Sequence, residues 1–168
     1  MNLISFGTNV EVLTTHMPGK KARIPGLDAD RIMERLWQGS VPPQGDALRK
    51  LGFDVLVLAA AERQIPARAF PGVQVIHIPL DDARHVPARE ASNVARMVAR
   101  LWRRGARILI TCNMGLNRSG LISALAVRLI IGKSGAEAVA DVQRARKGAL
   151  FNDHFRRYLE RLPIERRA

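Results

Sequence analysis

The stretch from residue 107 to residue 131 constrains the fold more than any other part of the chain. Residues 107–111 (RILIT) form a short apolar run of strand length, suited to a strand covered on both faces. Residues 121–131 are apolar apart from Arg128 and read as a buried helix that opens near Arg118. A short connection, Cys112-Asn113-Met114-Gly115-Leu116-Asn117-Arg118-Ser119-Gly120, joins the two. A buried strand feeding directly into a buried helix is the unit of a layered α/β fold.

The rest of the chain agrees. Residues 36–39 resemble a short strand ended by Ser40 and Pro42-Pro43. Residues 46–51 suit a short helix. Residues 53–59 (FDVLVLA) and 73–79 (VQVIHIP) read as further strands. A helix is expected over residues 87–104, with Val94, Val98, Leu101 and Trp102 on its inner face. Arg89, Arg96, Arg100 and Arg103 fall on another face, read as solvated. Ser134 and Glu137 have the spacing of a capping box, opening a helix to about Arg146. Asn152 caps a last helix that runs to Leu162 and stops before Pro163. The expected fold class is α/β, a central and mostly parallel sheet flanked by helices, with a Cys-x5-Arg phosphate-binding loop between a strand and a helix. The expected organisation is an N-terminal arm of unassigned structure over residues 1–30 and one domain over residues 31–168.

The connecting loop carries the chemistry. At a helix N-terminus several backbone N–H groups are free to converge on one anion, and the helix dipole adds positive potential. The same field favours a thiolate at Cys112 and so a nucleophile. Arg118 offers a planar fork that matches two phosphoryl oxygens at once. Gly115 permits a tight turn, and Ser119 can donate to the sulfur as it leaves. Residues Asn113, Met114, Gly115, Leu116 and Asn117 line the expected substrate position. The competing reading of Cys112 is a small buried hydrophobe at a strand end. With a single cysteine in the chain there is no intramolecular disulfide.

This segment resembles the signature loop of the protein tyrosine phosphatase superfamily, Cys-x5-Arg-Ser/Thr. The wider chain is similar to the compact dual-specificity branch in "LWQGS" (36–40), in "HIPLDD" (77–82), and in "SGAEAVADVQRAR" (134–146) followed by "FNDHF" (151–155). The resemblance implies a cysteine-dependent phosphatase that works through a cysteinyl-phosphate intermediate and needs no cofactor or metal. It implies Cys112 as nucleophile, Arg118 as phosphoryl grip, Ser119 as aid to the leaving sulfur, and Asp82 as general acid. Asp81 is the alternative acid. One departure is Thr111, where the family usually has His. The tail "GLNRSG" (115–120) also resembles the loop of RNA 5′-triphosphatases.

The expected substrate is a protein bearing phosphotyrosine, phosphoserine or phosphothreonine. An anionic non-protein substrate, such as an RNA 5′-triphosphate or a phosphoinositide, is the alternative, and a non-catalytic phosphate-binding module is a third reading. The net charge of +12, from 27 basic and 15 acidic residues, attracts anions without naming one. Nucleic acid is a possible partner but not the favoured one, motivated by the basic charge and Asn117. No membrane span and no secretory signal are read from the sequence, and a cytoplasmic location is expected.

Overall fold

The computed structural model describes residues 24–165. The arm expected over residues 1–30 therefore lies outside the described residues up to residue 23. From Ile24 the chain leads into a strand that the sequence did not define, β1 (Ala29–Met33). It is followed by β2 (Leu36–Gly39), α1 (Ala47–Lys50), β3 (Val55–Ala60), β4 (Gln74–Leu80), α2 (Ala88–Arg103) and β5 (Ile108–Thr111). The chain ends in α3 (Arg118–Val127), α4 (Gly135–Ala145) and α5 (Asp153–Glu160). A π turn, Arg128–Gly132, continues α3.

The five strands form one sheet in the order β1-β2-β5-β3-β4. β1 runs antiparallel to β2, and every other neighbouring pair is parallel. Strand alternation sorts the core into two layers, because successive side chains point to opposite faces. Leu36, Val55, Val57, Ile108 and Ile110 face the layer of α2, α3, α4 and α5. Trp37, Leu56, Leu58 and Leu109 face Leu48 of α1, Phe53 and Phe70. Residues 118–127 are buried on every side, so α3 is the central helix, and its continuous apolar run reflects that position. Among the described residues no single helix is long and apolar enough to cross a membrane.

The expected caps are present. Ser134 Oγ accepts from Glu137 N–H, and the Glu137 carboxylate accepts from Ser134 N–H at 2.8 Å. Asn152 Oδ1 accepts from His154 N–H and Phe155 N–H. Trp37 packs edge-on against Phe53, and the Arg107 guanidinium covers both rings. Trp102 donates to the Glu34 carbonyl beneath Arg35. Both tryptophans are thus structural.

The topology places one edge of the sheet at the disposal of a site. β2, β3, β4 and β5 all run the same way, so the segments that follow them share one end of the sheet. Ligands bind at this end in open α/β sheets. Those segments hold Gly39 and Ser40, Glu62, Asp81 and Asp82, and Cys112. β1 presses closely on β2 here: a Cβ at Gly39 would lie 2.2 Å from the Asp28 carbonyl oxygen and 2.8 Å from Ala29 Cβ. Gly39→Ala should therefore cost about 1–3 kcal/mol through overpacking. Urea denaturation checks this, and an unchanged midpoint would mean that β1 does not pack on β2 in solution.

Candidate active site

Residues 112–117 join β5 to α3 as a tight loop whose carbonyl groups are pulled outward. The Gly115 carbonyl accepts from Arg146 Nε at 2.7 Å and from Gln38 Nε2 at 3.0 Å. The Met114 carbonyl accepts from Arg146 Nη2, and the Leu116 carbonyl from Leu150 N–H. A peptide whose C=O points out turns its neighbouring N–H in. Among the described residues, the backbone N–H groups of residues 113–117 donate to no protein acceptor. Gly115 sits at φ +71, and a Cβ there would fall 2.2 Å from the Gly39 carbonyl carbon, so both conformation and space demand glycine.

Arg146 is the anchor of this arrangement. It follows α4, is buried, and donates to Asp28 and Asp30 as well as to the loop carbonyls. Burial disfavours its charge, but the two carboxylates more than offset that and push its pKa up. Arg146 thus ties the loop to the N-terminal strand region.

Cys112 is 3% exposed, with its sulfur 3.3 Å from Ser119 Oγ. Its N–H donates to the Gly39 carbonyl. Thr111, in the place of the family histidine, lies within the sheet and donates its hydroxyl to the Val57 carbonyl at 2.9 Å. It ties β5 to β3 and makes no recorded hydrogen bond to the loop, so the support of the loop comes from elsewhere.

The position of Arg118 is set by a residue that the sequence reading missed. Glu62, in a 3-10 turn (Ala61–Arg63) after β3, accepts from Nη1 at 2.6 Å and from Nη2 at 2.7 Å. The Leu80 carbonyl takes the second Nη1 hydrogen. What remains is Nε–H and one N–H of Nη2, the side of the guanidinium away from Glu62. Nε is buried without a protein partner. Nothing in "AAAERQ" (59–64) marks Glu62 as special; only the parallel order of β3 beside β5 brings it to the loop. The Arg118 hydrogen bonds, chiefly, lower the Glu62 pKa to about 2, and the Glu62 hydrogen bonds in turn raise that of Arg118.

Asp82 is held against the loop. Its Oδ2 accepts from Asn117 Nδ2 and its Oδ1 from Asn152 Nδ2, both at 2.8 Å. Asn117 Oδ1 accepts from Asn152 N–H, closing the network. Asn117 is buried, and its side chain serves Asp82 and Asn152. Asp81 is exposed and makes no recorded contact with the loop. Arg63 reaches Asn113 Oδ1 from the other wall at 3.3 Å. Met114 and Phe151 stand exposed at the mouth, Phe151 between two residues hydrogen-bonded to Leu116 and Asn117. The site thus gathers Cys112, Arg118, Ser119 and Asp82, and adds Glu62, Arg146, Gln38 and Asn152.

No family model matches the chain, and no curated protein matches its sequence. Solved structures do. Tk-PTP in its active form is 26% identical, with a TM-score of 0.65 over 79% of this chain and 96% of that one. Human DUSP28 is 24% identical, with a TM-score of 0.67 over 77% of this chain and 94% of that one. A human tyrosine phosphatase-like serine/threonine/tyrosine-interacting protein is 17% identical, with a TM-score of 0.63 over 79% and 93%.

The Glu62–Arg118 pair makes a pH prediction. A carboxylate whose pKa falls from 4.5 to about 2 on folding contributes stability that is complete above pH 4.5 and lost as pH falls toward 2. The stability difference between the native chain and Glu62→Gln should be constant from pH 5 to pH 7, and smaller at pH 3. Urea denaturation of both at pH 3 and pH 6 reads this, and a difference independent of pH would place no ion pair there.

In fold, the chain is similar to the compact dual-specificity and tyrosine phosphatases among these solved structures.

Proposed function

We propose that the chain is a cysteine-dependent phosphatase that hydrolyses phosphomonoesters on proteins. One observation carries the reading: the buried Nε–H of Arg118 has no protein acceptor, and it belongs to the helix onto which the unpartnered loop N–H groups lead. Buried donors are ordinarily satisfied, so a cluster of unsatisfied ones marks the seat of an anion. Cys112 lies in the same loop, which turns an anion site into one with a nucleophile.

In the proposed reaction the Cys112 thiolate attacks phosphorus, forming the S–P bond as the bond to the leaving oxygen breaks. The loop N–H groups and the free edge of Arg118 neutralise the equatorial oxygens. Protonated Asp82 gives its proton to the leaving oxygen. Water then attacks the cysteinyl-phosphate, Asp82 takes a proton from it, and the S–P bond breaks. Ser119, at hydrogen-bond distance from the sulfur, donates to the departing thiolate. Glu62 holds the guanidinium so that its remaining donors stay aimed, and no rotamer entropy is lost on binding.

The position of Asp82 supports it over Asp81 as the acid, since Asn117 and Asn152 hold it at the loop. Of the two features that motivate the non-protein reading, the charge and Asn117, the second is engaged inside the protein by Asp82 and Asn152.

Phosphate release from a small aryl phosphate should vanish in Cys112→Ser while the variant still binds vanadate. Arg118→Lys should be nearly as inactive, because the fork is lost. Asp82→Ala should slow release by about 10²–10⁴-fold and Asp81→Ala should not. Full activity in Cys112→Ser would remove the nucleophile assignment, and a collapse in Asp81→Ala alone would exchange the acids.

A further inference from the structure

A groove of about 480 Å³ lies between the segment that carries the acid and α5. It is lined by Val86, His154, Arg157, Tyr158, Arg161 and Leu162. It is joined to the active site by the same contacts that hold the acid, since Asn152 at the head of α5 bonds both Asp82 and the Ala83 carbonyl. His154 and Tyr158 lie four apart on one face of α5, leading away from the site, and Leu162 follows just past the helix end.

The floor and rim differ in chemistry. Val86, Tyr158 and Leu162 are half-buried and give an apolar floor. Arg157 and Arg161 are exposed and form a basic rim on the α5 side, with His154 beside them. The acids of α5 are Asp153 and Glu160, and the Asp153–Arg157 pair is long at 3.7 Å. A basic rim over an apolar floor complements an acidic segment with one apolar side chain. A lipid surface would need a flat or convex face.

We propose that this groove holds an acidic segment of the phosphoprotein substrate, with a large apolar side chain seated between Val86 and Leu162. The inference rests on the phosphatase reading of the neighbouring site. From residue 154 to residue 160 the helix rises about 9 Å. An extended peptide covers that length in about three residues, so the recognised tract lies within a few residues of the phosphorylated one.

The test uses the full chain carrying Cys112→Ser, so that binding is read without turnover. Labelled phosphotyrosyl peptides are compared by fluorescence polarisation: one with a Glu-Glu-Leu-Glu tract after the phosphoresidue, one with the tract before it, and one with Gly and Ser in its place. One tract peptide should bind about tenfold more tightly than the plain peptide. That advantage should disappear with Arg157→Glu plus Arg161→Glu, while vanadate binding stays unchanged and reports an intact fold. Equal binding of all three peptides overturns the proposal. So does an advantage that survives the charge reversal, or displacement of the tract peptide by an RNA oligonucleotide at equal concentration in physiological salt. Failure of the native chain to release phosphate from an aryl phosphate would instead remove the phosphatase reading and leave the binding comparison standing.

Discussion

The site depends on the grip of Arg146 on the loop. Its guanidinium takes the carbonyls of Met114 and Gly115 on one side and the carboxylates of Asp28 and Asp30 on the other. Without an outward pull on those carbonyls, nothing would keep the loop N–H groups facing one point. The loop is a collection of like dipoles, and such an arrangement is unfavourable until an anion arrives. Buried arginines are expensive to unpair, so Arg146 resists the relaxation that would satisfy the loop internally. Gln38 adds a second hold from β2, and Gly39 admits both the loop and β1 to the same narrow space.

The second constraint is the division of labour among carboxylates. Asp28 and Asp30 neutralise Arg146, and Glu62 neutralises part of Arg118. Asp82 is set apart from these, held by two neutral amides rather than by a full cation. A neutral amide fixes position without the strong charge pairing that a guanidinium imposes, which suits a group proposed to gain and lose a proton. The chain thus has arginine–carboxylate pairs where rigidity is needed and asparagine where chemistry is proposed.

Much of this was legible in the sequence, and the reasons differ by element. β3 and β5 were legible because both sheet faces are covered there and their apolar runs are continuous, and β4 because its apolar residues alternate. The capping box and Asn152 were legible because capping is local chemistry. Cys112, Arg118 and Ser119 lie in one short segment, and the structure brings their side chains to one loop. β1 escaped because "ADRIM" (29–33) mixes charge with apolar residues; Asp30 is buried there only because Arg146 meets it from more than a hundred positions away. Glu62 escaped for the same reason: its partner, Arg118, opens the helix that follows the neighbouring strand, and such a pairing leaves no periodic trace. Thr111 was legible as a departure, but not that its hydroxyl would be spent on the sheet.

The central claim is that Cys112 becomes covalently bonded to phosphorus during turnover. Rapid acid quench of the Asp82→Ala variant with 4-nitrophenyl phosphate, followed by mass spectrometry of its peptides, tests this directly: that leaving phenolate needs no proton, so the S–P bond still forms, while hydrolysis has lost its base and the intermediate accumulates. The account predicts one added phosphoryl group on the peptide that contains Cys112, removed on prolonged incubation. Phosphate release by the native chain, with no modification at Cys112 under any quench time, would contradict it.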